Sequence, residues 1–272
     1  MKYCFRYQKY NSSFMKRADE ILIHYRPEDT TFLDFLDLYK DKRIIVSLDE
    51  KDCSEQELEK LNLIYQKNNN FVLRLQNFSI KIIDILKKYN IPFFIFKFAN
   101  NWDIFRGLID LGVSDIYVTD SLGFELDKCA KEAHEKNINI RVFPNVAQSQ
   151  WDLTQSIKKF FIRPDDIDIY EEYVDIFEFI CNLDQEEPLY KIYKDKNWFG
   201  KLNEIITFLD SDVDNYSIIP ASFGAIRAKC GKTCMSAGNC RLCDEIEMLS
   251  TEMAKKEYYI DKEGGKEDGI KG

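Results

Sequence analysis

The feature that most constrains the fold is a regular alternation of short β-branched and aromatic runs with amphipathic segments. Successive runs begin about 14 to 28 residues apart, which is near the length of one strand–helix unit. Strands that alternate with helices pair in parallel, because each helix returns the chain to the start of the next strand. The predicted strands are Ile21–Tyr25, Arg43–Leu48, Phe71–Leu75, Pro92–Phe98, Asp115–Thr119, Ile138–Phe143, Phe160–Arg163 and Val174–Ile180.

Eight such strands predict an α/β fold, a (β/α)8 TIM-type barrel that is irregular at its last units. An open doubly wound sheet is the rival, but it normally carries a Gly-rich phosphate turn after its first strand, and the sequence has none. Amphipathic helices are predicted between the strands at Thr31–Tyr39, Glu55–Lys67, Ile80–Tyr89, Trp102–Leu111 and Phe124–Lys136.

Three regions are predicted along the chain: a barrel domain over 1–212, a small four-cysteine lobe over 213–258 and a disordered tail over 259–272. Only Asp165–Tyr173 separates the last two predicted strands. A closing helix is expected at Trp198–Leu209, after a polar connection at Asn182–Pro188. The tail is charged and contains glycine, which favours disorder.

Charge and composition limit the function classes. The formal net charge of −9 argues against indiscriminate binding to nucleic acid or to an anionic membrane. No stretch approaches 18 consecutive apolar residues, and the start of the sequence lacks the apolar run of a signal peptide. We therefore expect no membrane span and a cytoplasmic location in which thiols stay reduced.

Polar side chains recur in or just after every predicted strand. Barrel sites lie at the carboxyl ends of strands, and residues two apart share a face. The set on the chosen face is His24, Arg26, Ser47, Asp49, Arg74, Gln76, Lys97, Asp120, Arg141, Asn145, Arg163 and Glu178. Unpaired charges are rarely buried, so the pattern indicates a wet, functional mouth.

The mouth carries more cations than anions, which suits a carboxylate or phosphate ligand. The predicted substrate-binding residues are Arg26, Arg74, Arg141, Arg163 and Asn145, and the predicted catalytic residues are Glu178, Asp49 and Lys97. Glu178 and Asp49 could act as acid and base, or could hold the arginines in place. The alternative is that individual charges lie on the outer face of the sheet. His24 is either catalytic or a hydrogen-bonded core histidine.

Four of the eight cysteines fall within residues 230–243, in a C-x3-C-x5-C-x2-C pattern. Four thiolates can hold one tetrahedral zinc or one iron–sulfur cluster. The predicted metal ligands are Cys230, Cys234, Cys240 and Cys243. The compact spacing favours a [4Fe–4S] cluster, with zinc as the alternative, and it lacks the C-x3-C-x2-C triplet of radical S-adenosylmethionine enzymes. The other four, Cys4, Cys53, Cys129 and Cys181, are predicted to be ordinary packing residues.

Two segments carry a family resemblance. Leu111–Asp120 (LGVSDIYVTD) and Asn139–Val146 (NIRVFPNV) resemble the barrel of the peptidase U32, or collagenase-like, family. The resemblance implies a βα-barrel and makes an iron–sulfur centre plausible, since members of the family support hydroxylation of RNA bases or quinone precursors. Asp115 falls one position later than the acidic residue of the family pattern. No cluster ligand transfers position by position, because this chain places its four cysteines in 230–243.

Three hypotheses follow. The first is an intracellular U32-like barrel enzyme that binds an anionic small molecule or a modified macromolecule and holds an iron–sulfur or zinc site. The second is a non-catalytic binding or assembly protein, of a bacterium or its phage, with a structural zinc. The third is an RNA-modifying or RNA-binding protein, in which the basic residues around the cysteines contact phosphates. The sequence predicts neither the reaction nor the oligomeric state.

Overall fold

The computed structural model describes residues 1–7, 12–28, 31–76, 78–118, 125–145, 162–181, 185–196 and 205. These residues contain one sheet of nine strands, and all its pairings are parallel. The strands are β1 Lys2–Arg6, β2 Glu20–His24, β3 Arg43–Leu48, β4 Phe71–Leu75, β5 Phe93–Ile95, β6 Phe98–Ala99, β7 Asp115–Val118, β8 Asn139–Val142 and β9 Ile176–Glu178.

The two edges of the sheet belong to neighbouring stretches of chain. The strand order is β5-β4-β3-β2-β1-β9-β8-β7-β6, and only Phe96 and Lys97 separate β5 from β6. β5 pairs with β4, whereas β6 pairs with β7. The backbone N–H of Ser114, just before β7, also donates to the carbonyl oxygen of Phe93 at 2.8 Å. The sheet therefore curls until its edges meet, so that β5 and β6 act as one bent strand in a TIM-barrel-like fold.

Helices connect the strands. They are α1 Ser12–Met15, α2 Phe32–Leu38, α3 Glu55–Tyr65, α4 Ile80–Tyr89, α5 Trp102–Asp110, α6 Leu126–His134, α7 Ile167–Tyr170 and α8 Glu186–Asp195. Local sequence fixes several of their ends. The Ser54 hydroxyl accepts from the N–H of Glu57 at the start of α3, and the Asn101 side chain accepts from Ile104 at the start of α5. No helix among these described residues is long and apolar enough to cross a membrane.

The strand–helix alternation predicted from the sequence is confirmed over residues 20–142. All five predicted helices are present, with ends within two residues of the expected ones. These helices bury apolar stripes, for example Ile82, Ile83 and Leu86 of α4, against the sheet. Periodicity is reliable here because one face of each helix has to pack on the barrel.

The prediction of a strand at Phe160–Arg163 is wrong where the structure describes it. Ile162 and Arg163 lie outside any strand, and β8 pairs directly with β9. Pro164 begins a 3₁₀ helix, Pro164–Asp166, because its fixed φ and missing N–H end extended pairing. The strand that completes the sheet is instead β1, which the sequence analysis did not predict.

The predicted polar connection at Asn182–Pro188 is also corrected. Helix α8 begins at Glu186, and a proline is tolerated in the first turn because the N–H it lacks has no partner there. Most of the predicted closing helix at Trp198–Leu209, the four-cysteine lobe and the tail lie outside the described residues.

Candidate anion-binding site

The barrel interior holds six charged side chains that pair with one another. Three guanidinium groups and three carboxylates meet there, namely Arg43, Arg74, Arg141, Glu20, Asp115 and Glu178. We call these six residues the interior network. Arg74 of β4 reaches Glu178 of β9, and neither strand neighbours the other in the sheet, so these side chains meet across the interior. The network is balanced in charge.

Arg141 is the centre of the network. Its Nε donates to Asp115 Oδ1 at 3.0 Å and one Nη donates to Glu178 Oε2 at 2.9 Å, while the other Nη pairs with Glu20. Its side chain is fully buried, and the guanidinium lies 4.9 Å from the centroid of the Phe94 ring. A guanidinium has five donors, which lets one buried cation satisfy three carboxylates at once.

The remaining contacts of the network's carboxylates come from Arg43 and from a neutral neighbour, Tyr117. Arg43 contacts Glu20 at 2.9 Å and Asp115 at 2.5 Å. The hydroxyl of Tyr117 donates to Glu178 Oε2 at 2.7 Å. Every carboxylate of the network therefore has at least two partners, which compensates for the desolvation of buried charge.

These contacts set the protonation states. Burial alone would raise the pKa of Asp115, but the charges of Arg141 and Arg43 outweigh it and hold that pKa well below its usual range. Burial and the neighbouring Glu178 carboxylate raise the pKa of Tyr117 well above its ordinary value. Asp115 is therefore ionised and Tyr117 protonated at neutral pH, as their hydrogen bonds require.

The carboxyl ends of β1 and β2 carry cations of a different kind. Arg6 ends β1, His24 ends β2, and Arg26 follows two residues later. All three side chains are exposed, and none has an ion-pair or hydrogen-bond partner in the described part of the chain. Partial burial, together with the positive charges of Arg6, Arg74 and Arg26, lowers the pKa of His24, against the opposing effect of Asp49. His24 is thus held neutral beside several cations.

Arg74 links the network to this mouth. One of its Nη atoms donates to Glu178 at 2.8 Å, and the other lies 3.4 Å from the Ser47 hydroxyl. Gln76 also donates to that hydroxyl, at 2.8 Å. The Nε of Arg74 is buried and has no hydrogen-bond acceptor among the described residues. A buried donor without an acceptor is costly, so an acceptor supplied by a ligand or by water would stabilise this side chain.

The structure brings together only part of the predicted site. Arg74, Arg141 and Glu178 meet in the network, where Glu178 holds two arginines, the second of the roles left open for it. Arg26 and Asp49 lie near His24 at the mouth and are exposed.

Three other predicted site residues lie apart from this group. Lys97 is exposed in the break between β5 and β6. Arg163 is buried but lies off the sheet, where it pairs with Asp165. The Asn145 side chain is buried and forms hydrogen bonds with the backbone of Ile180 and Ile205, so its described contacts hold segments of the chain together. Asp120 lies outside the described residues.

Sequence reasoning missed five residues of this region: Arg6, Glu20, Arg43, Asp115 and Tyr117. Three of them, Glu20, Arg43 and Asp115, are the first residues of their strands. A charged residue at the start of a strand resembles the end of the preceding loop, so it is easily left out of the inner face. The spacing was nevertheless informative, because residues two apart share a face: Asp115 with Tyr117, and Arg43 with Ile45 and Ser47. Arg6 was missed because β1 itself was not predicted.

The four predicted metal ligands in 230–243 lie outside the described residues. Within the described ranges, no three His, Cys, Asp or Glu side chains are grouped so as to hold a metal ion. Cys4, Cys53 and Cys129 are buried free thiols and Cys181 is half-buried, which confirms them as packing residues. Burial raises the pKa of Cys129 and of Cys181 to about 12, so both are unreactive at neutral pH.

Fold and interior thus define a TIM-barrel-like α/β protein. No protein-family model matches the chain, and no curated protein matches it. Among solved structures, one similar chain is a 4-hydroxy-2-oxoglutarate aldolase/2-deydro-3-deoxyphosphogluconate aldolase from TTHB1. It has a TM-score of 0.38 and 9% identity, over 71% of this chain and 92% of that one. Another is a conserved protein of unknown function from a locus in Enterococcus faecalis, with a TM-score of 0.38 and 12% identity, over 67% of this chain and 61% of that one.

Proposed function

We propose that this chain binds an anionic ligand at the carboxyl ends of β1 to β4, and that it is a barrel enzyme acting on that ligand. The single observation that carries the proposal is a set of cations at this mouth that have no partner among the described residues: Arg6 and Arg26, together with the buried, unpaired Nε of Arg74. Active sites of TIM barrels lie at the carboxyl ends of their strands, which is where these groups are.

The interior network supports this assignment because none of its carboxylates pairs with Arg6 or Arg26, and the exposed Asp49 near His24 forms no ion pair with them in the described part of the chain. Its three carboxylates are fully occupied by Arg43, Arg74 and Arg141, so none is spare to neutralise Arg6 or Arg26. An exposed guanidinium beside another cation binds a carboxylate or phosphate readily, since the ligand supplies the missing countercharge.

His24 is the group in this mouth best suited to move a proton. Its lowered pKa keeps the ring neutral, so one ring nitrogen accepts a hydrogen bond or a proton at neutral pH. Glu178 is less suited to this role, since Arg74, Arg141 and Tyr117 already occupy its two oxygens. We propose His24 as the acid–base group, with Arg6 and Arg26 as the anion-binding groups.

Thermal unfolding with inorganic phosphate and, separately, with acetate tests the binding proposal. A bound anion stabilises the folded protein, by about 2.7 kcal/mol when its concentration is 100 times Kd. The double variant Arg6→Met/Arg26→Met should lose this stabilisation for whichever anion binds. The control Arg106→Met removes an exposed arginine that pairs with Glu132 on the outer helices, and it should respond as the native chain does. Equal stabilisation of the double variant would overturn the assignment.

We also propose that Cys230, Cys234, Cys240 and Cys243 hold an iron–sulfur cluster, with zinc as the alternative, and that the chain is U32-like. This proposal is supported by the sequence spacing and the resemblance alone. Elemental analysis and an anaerobic visible spectrum test it: a brown protein that contains iron favours the cluster, and a colourless one with a single zinc favours a structural clip. The fourfold Cys→Ser variant should lose the metal, and an unchanged metal content would refute the ligand set.

A further inference from the structure

The mouth of the barrel has two chemically different halves. Around β1 to β4 the residues at or near the carboxyl ends are polar: Arg6, His24, Ser47, Asp49 and Gln76. Around β5, β6, β8 and β9 the side chains at these ends include Phe96, Phe98, Phe143 and Ile180, and the exposed Lys97 lies between β5 and β6. We call Phe96, Phe98 and Phe143 the aromatic half.

The three rings of the aromatic half form one cluster. The centroids of Phe96 and Phe98 lie 5.5 Å apart, and those of Phe98 and Phe143 lie 5.7 Å apart, both edge to face. The buried Tyr117 ring contacts all three and stacks on Phe143 at 5.2 Å. Packing and the sheet therefore hold these rings in place, and a ligand would find them already arranged.

Each ring of this cluster remains partly uncovered. Phe96, Phe98 and Phe143 are half-buried, whereas the neighbouring Phe94 and Tyr117 rings are fully buried. Apolar surface that stays accessible at a barrel mouth is the usual lining of a small-molecule site, in which a few polar groups fix the orientation of the ligand.

Arg74 stands on the border between the two halves. Its guanidinium lies 4.7 Å from the centroid of the Phe96 ring and also reaches the Ser47 hydroxyl. Arg74 therefore packs its guanidinium on an aromatic ring and keeps one N–H donor without a described acceptor. One side chain thus joins the apolar half of the mouth to its anion-binding half.

We propose that the mouth ligand is an anion that carries an apolar ring, such as an aryl carboxylate or an aryl phosphate. Its ring packs on the aromatic half, and its anionic group binds Arg6 and Arg26 and lies against the guanidinium of Arg74, whose buried Nε has no described acceptor. This inference rests on the proposed function, since it names the class of ligand for the same site. A small inorganic anion satisfies only the cationic half and leaves the rings in contact with water.

The test compares the dissociation constants of matched anions with and without a ring. Phenyl phosphate is compared with inorganic phosphate, and benzoate with acetate, so that the two arms distinguish a phosphate from a carboxylate head. The ring-proton resonances of His24 follow binding, and His134 is the reference because the chain has only two histidines. Burial of a ring against aromatic side chains predicts about tenfold tighter binding of the ring-bearing anion in at least one arm.

Two variants of the aromatic half and one control make the test specific. Phe143→Leu and, independently, Phe98→Leu should reduce the preference for the ring-bearing anion to about twofold and leave the affinity for the inorganic or aliphatic anion unchanged. Phe71→Leu removes a buried ring at the first residue of β4, the opposite end of that strand from the mouth, and should lower stability without changing the preference. Two separate mouth variants keep the test valid if one of them folds poorly.

The outcomes separate the two proposals. If phosphate or acetate binds and the ring-bearing partner binds no tighter, the inference of a ring-bearing ligand fails and the anion site stands. If the ring preference persists unchanged in Phe143→Leu and Phe98→Leu, the inference also fails. If none of the four anions binds, the proposed anion site fails and the inference fails with it.

Discussion

The barrel interior and the barrel mouth use the same residue type in opposite ways. Inside, Arg43, Arg74 and Arg141 are balanced by three carboxylates and form ion pairs with them. At the mouth, Arg6 and Arg26 have no ion-pair partner in the part of the chain that the structure describes, although Asp49 lies near His24. Position within the barrel thus separates arginines that hold the barrel together from arginines available to a ligand.

The difference follows from solvation. A guanidinium in the interior must find carboxylates, since transfer of an unpaired ion from water costs several kcal/mol. At the mouth, water solvates the charge, so the residue tolerates having no partner until an anion arrives. Interior variants should therefore change stability, and mouth variants should change ligand binding and local electrostatics.

The strongest test of this comparison is Arg141→Met. The change leaves Glu20, Asp115 and Glu178 buried with one guanidinium fewer, and breaking a buried pair in this way costs about 3–5 kcal/mol. Urea unfolding measures the loss. Arg106→Met, which removes an exposed ion pair, should leave the unfolding midpoint unchanged. A small loss for Arg141→Met would mean that the network is hydrated rather than buried.

Asp115→Asn tests the acid side of the same network. Arg141 and Arg43 hold the pKa of Asp115 below its value in the unfolded chain, so the ionised form stabilises the fold above about pH 4. That contribution is lost as the pH falls below this value, because the unfolded chain then binds the proton first. The variant should lose about 2–3 kcal/mol at neutral pH, as for a hydrogen bond to a charged group. Between pH 5 and pH 2 the free energy of unfolding of the variant should also change less with pH than that of the native chain.

The matched control for that experiment is Asp103→Asn on the exposed start of α5. Stability as a function of pH, measured by urea unfolding at each pH, compares the three proteins. We expect the control to keep the native acid slope. An Asp115→Asn variant with the same slope as the native chain would contradict the role given to Asp115.

The fold was largely predictable from the sequence because the residues that pack in the core recur at regular intervals along the chain. Helices such as α4 carry apolar residues at helical spacing, and strands such as β3 are short, nearly continuous apolar runs of the kind that a parallel sheet buries on both faces. The misassigned segments lack that signal. β1 is only five residues long with charges at both ends, and the segment before Pro164 has the composition of a strand but enters a 3₁₀ turn.

The site was less predictable, since alternation along a strand gives the face of a residue but not its depth. Arg74 and Arg141, which the sequence analysis assigned to the inner face, lie in the interior network. Their partners could not be chosen from the sequence. Glu20 of β2 meets Arg141 of β8 only across the barrel interior, and the register of β7 on β8 decides that Asp115 reaches the same guanidinium. Depth depends on the register between strands and on barrel closure, both of which are long-range properties.

Tyr117→Phe tests an uncharged residue of the barrel interior and should reduce the free energy of unfolding by less than Arg141→Met or Asp115→Asn. The change removes the hydroxyl that donates to Glu178 at 2.7 Å and accepts a longer, weaker bond from Arg74 at 3.4 Å, and it keeps the ring that stacks on Phe143. Loss of one hydrogen bond to a charged acceptor should cost about 1.5–3 kcal/mol, towards the lower end because Arg74 and Arg141 still bind the carboxylate. Tyr89→Phe is the control, because no described residue hydrogen-bonds the Tyr89 hydroxyl; it should be neutral in thermal unfolding.

Arg6→Met has the smallest expected effect on stability and tests the comparison at a mouth arginine. Arg6 has no described partner, so its removal should leave the free energy of unfolding unchanged. Partial burial and then the charge of Arg6 lower the pKa of His24, and loss of that charge should raise the pKa towards its ordinary value. A proton NMR titration of His24 measures the shift, with His134, which pairs with Asp175, as the unaffected reference. A loss of stability with no change at His24 would place Arg6 with the structural arginines and remove it from the ligand site.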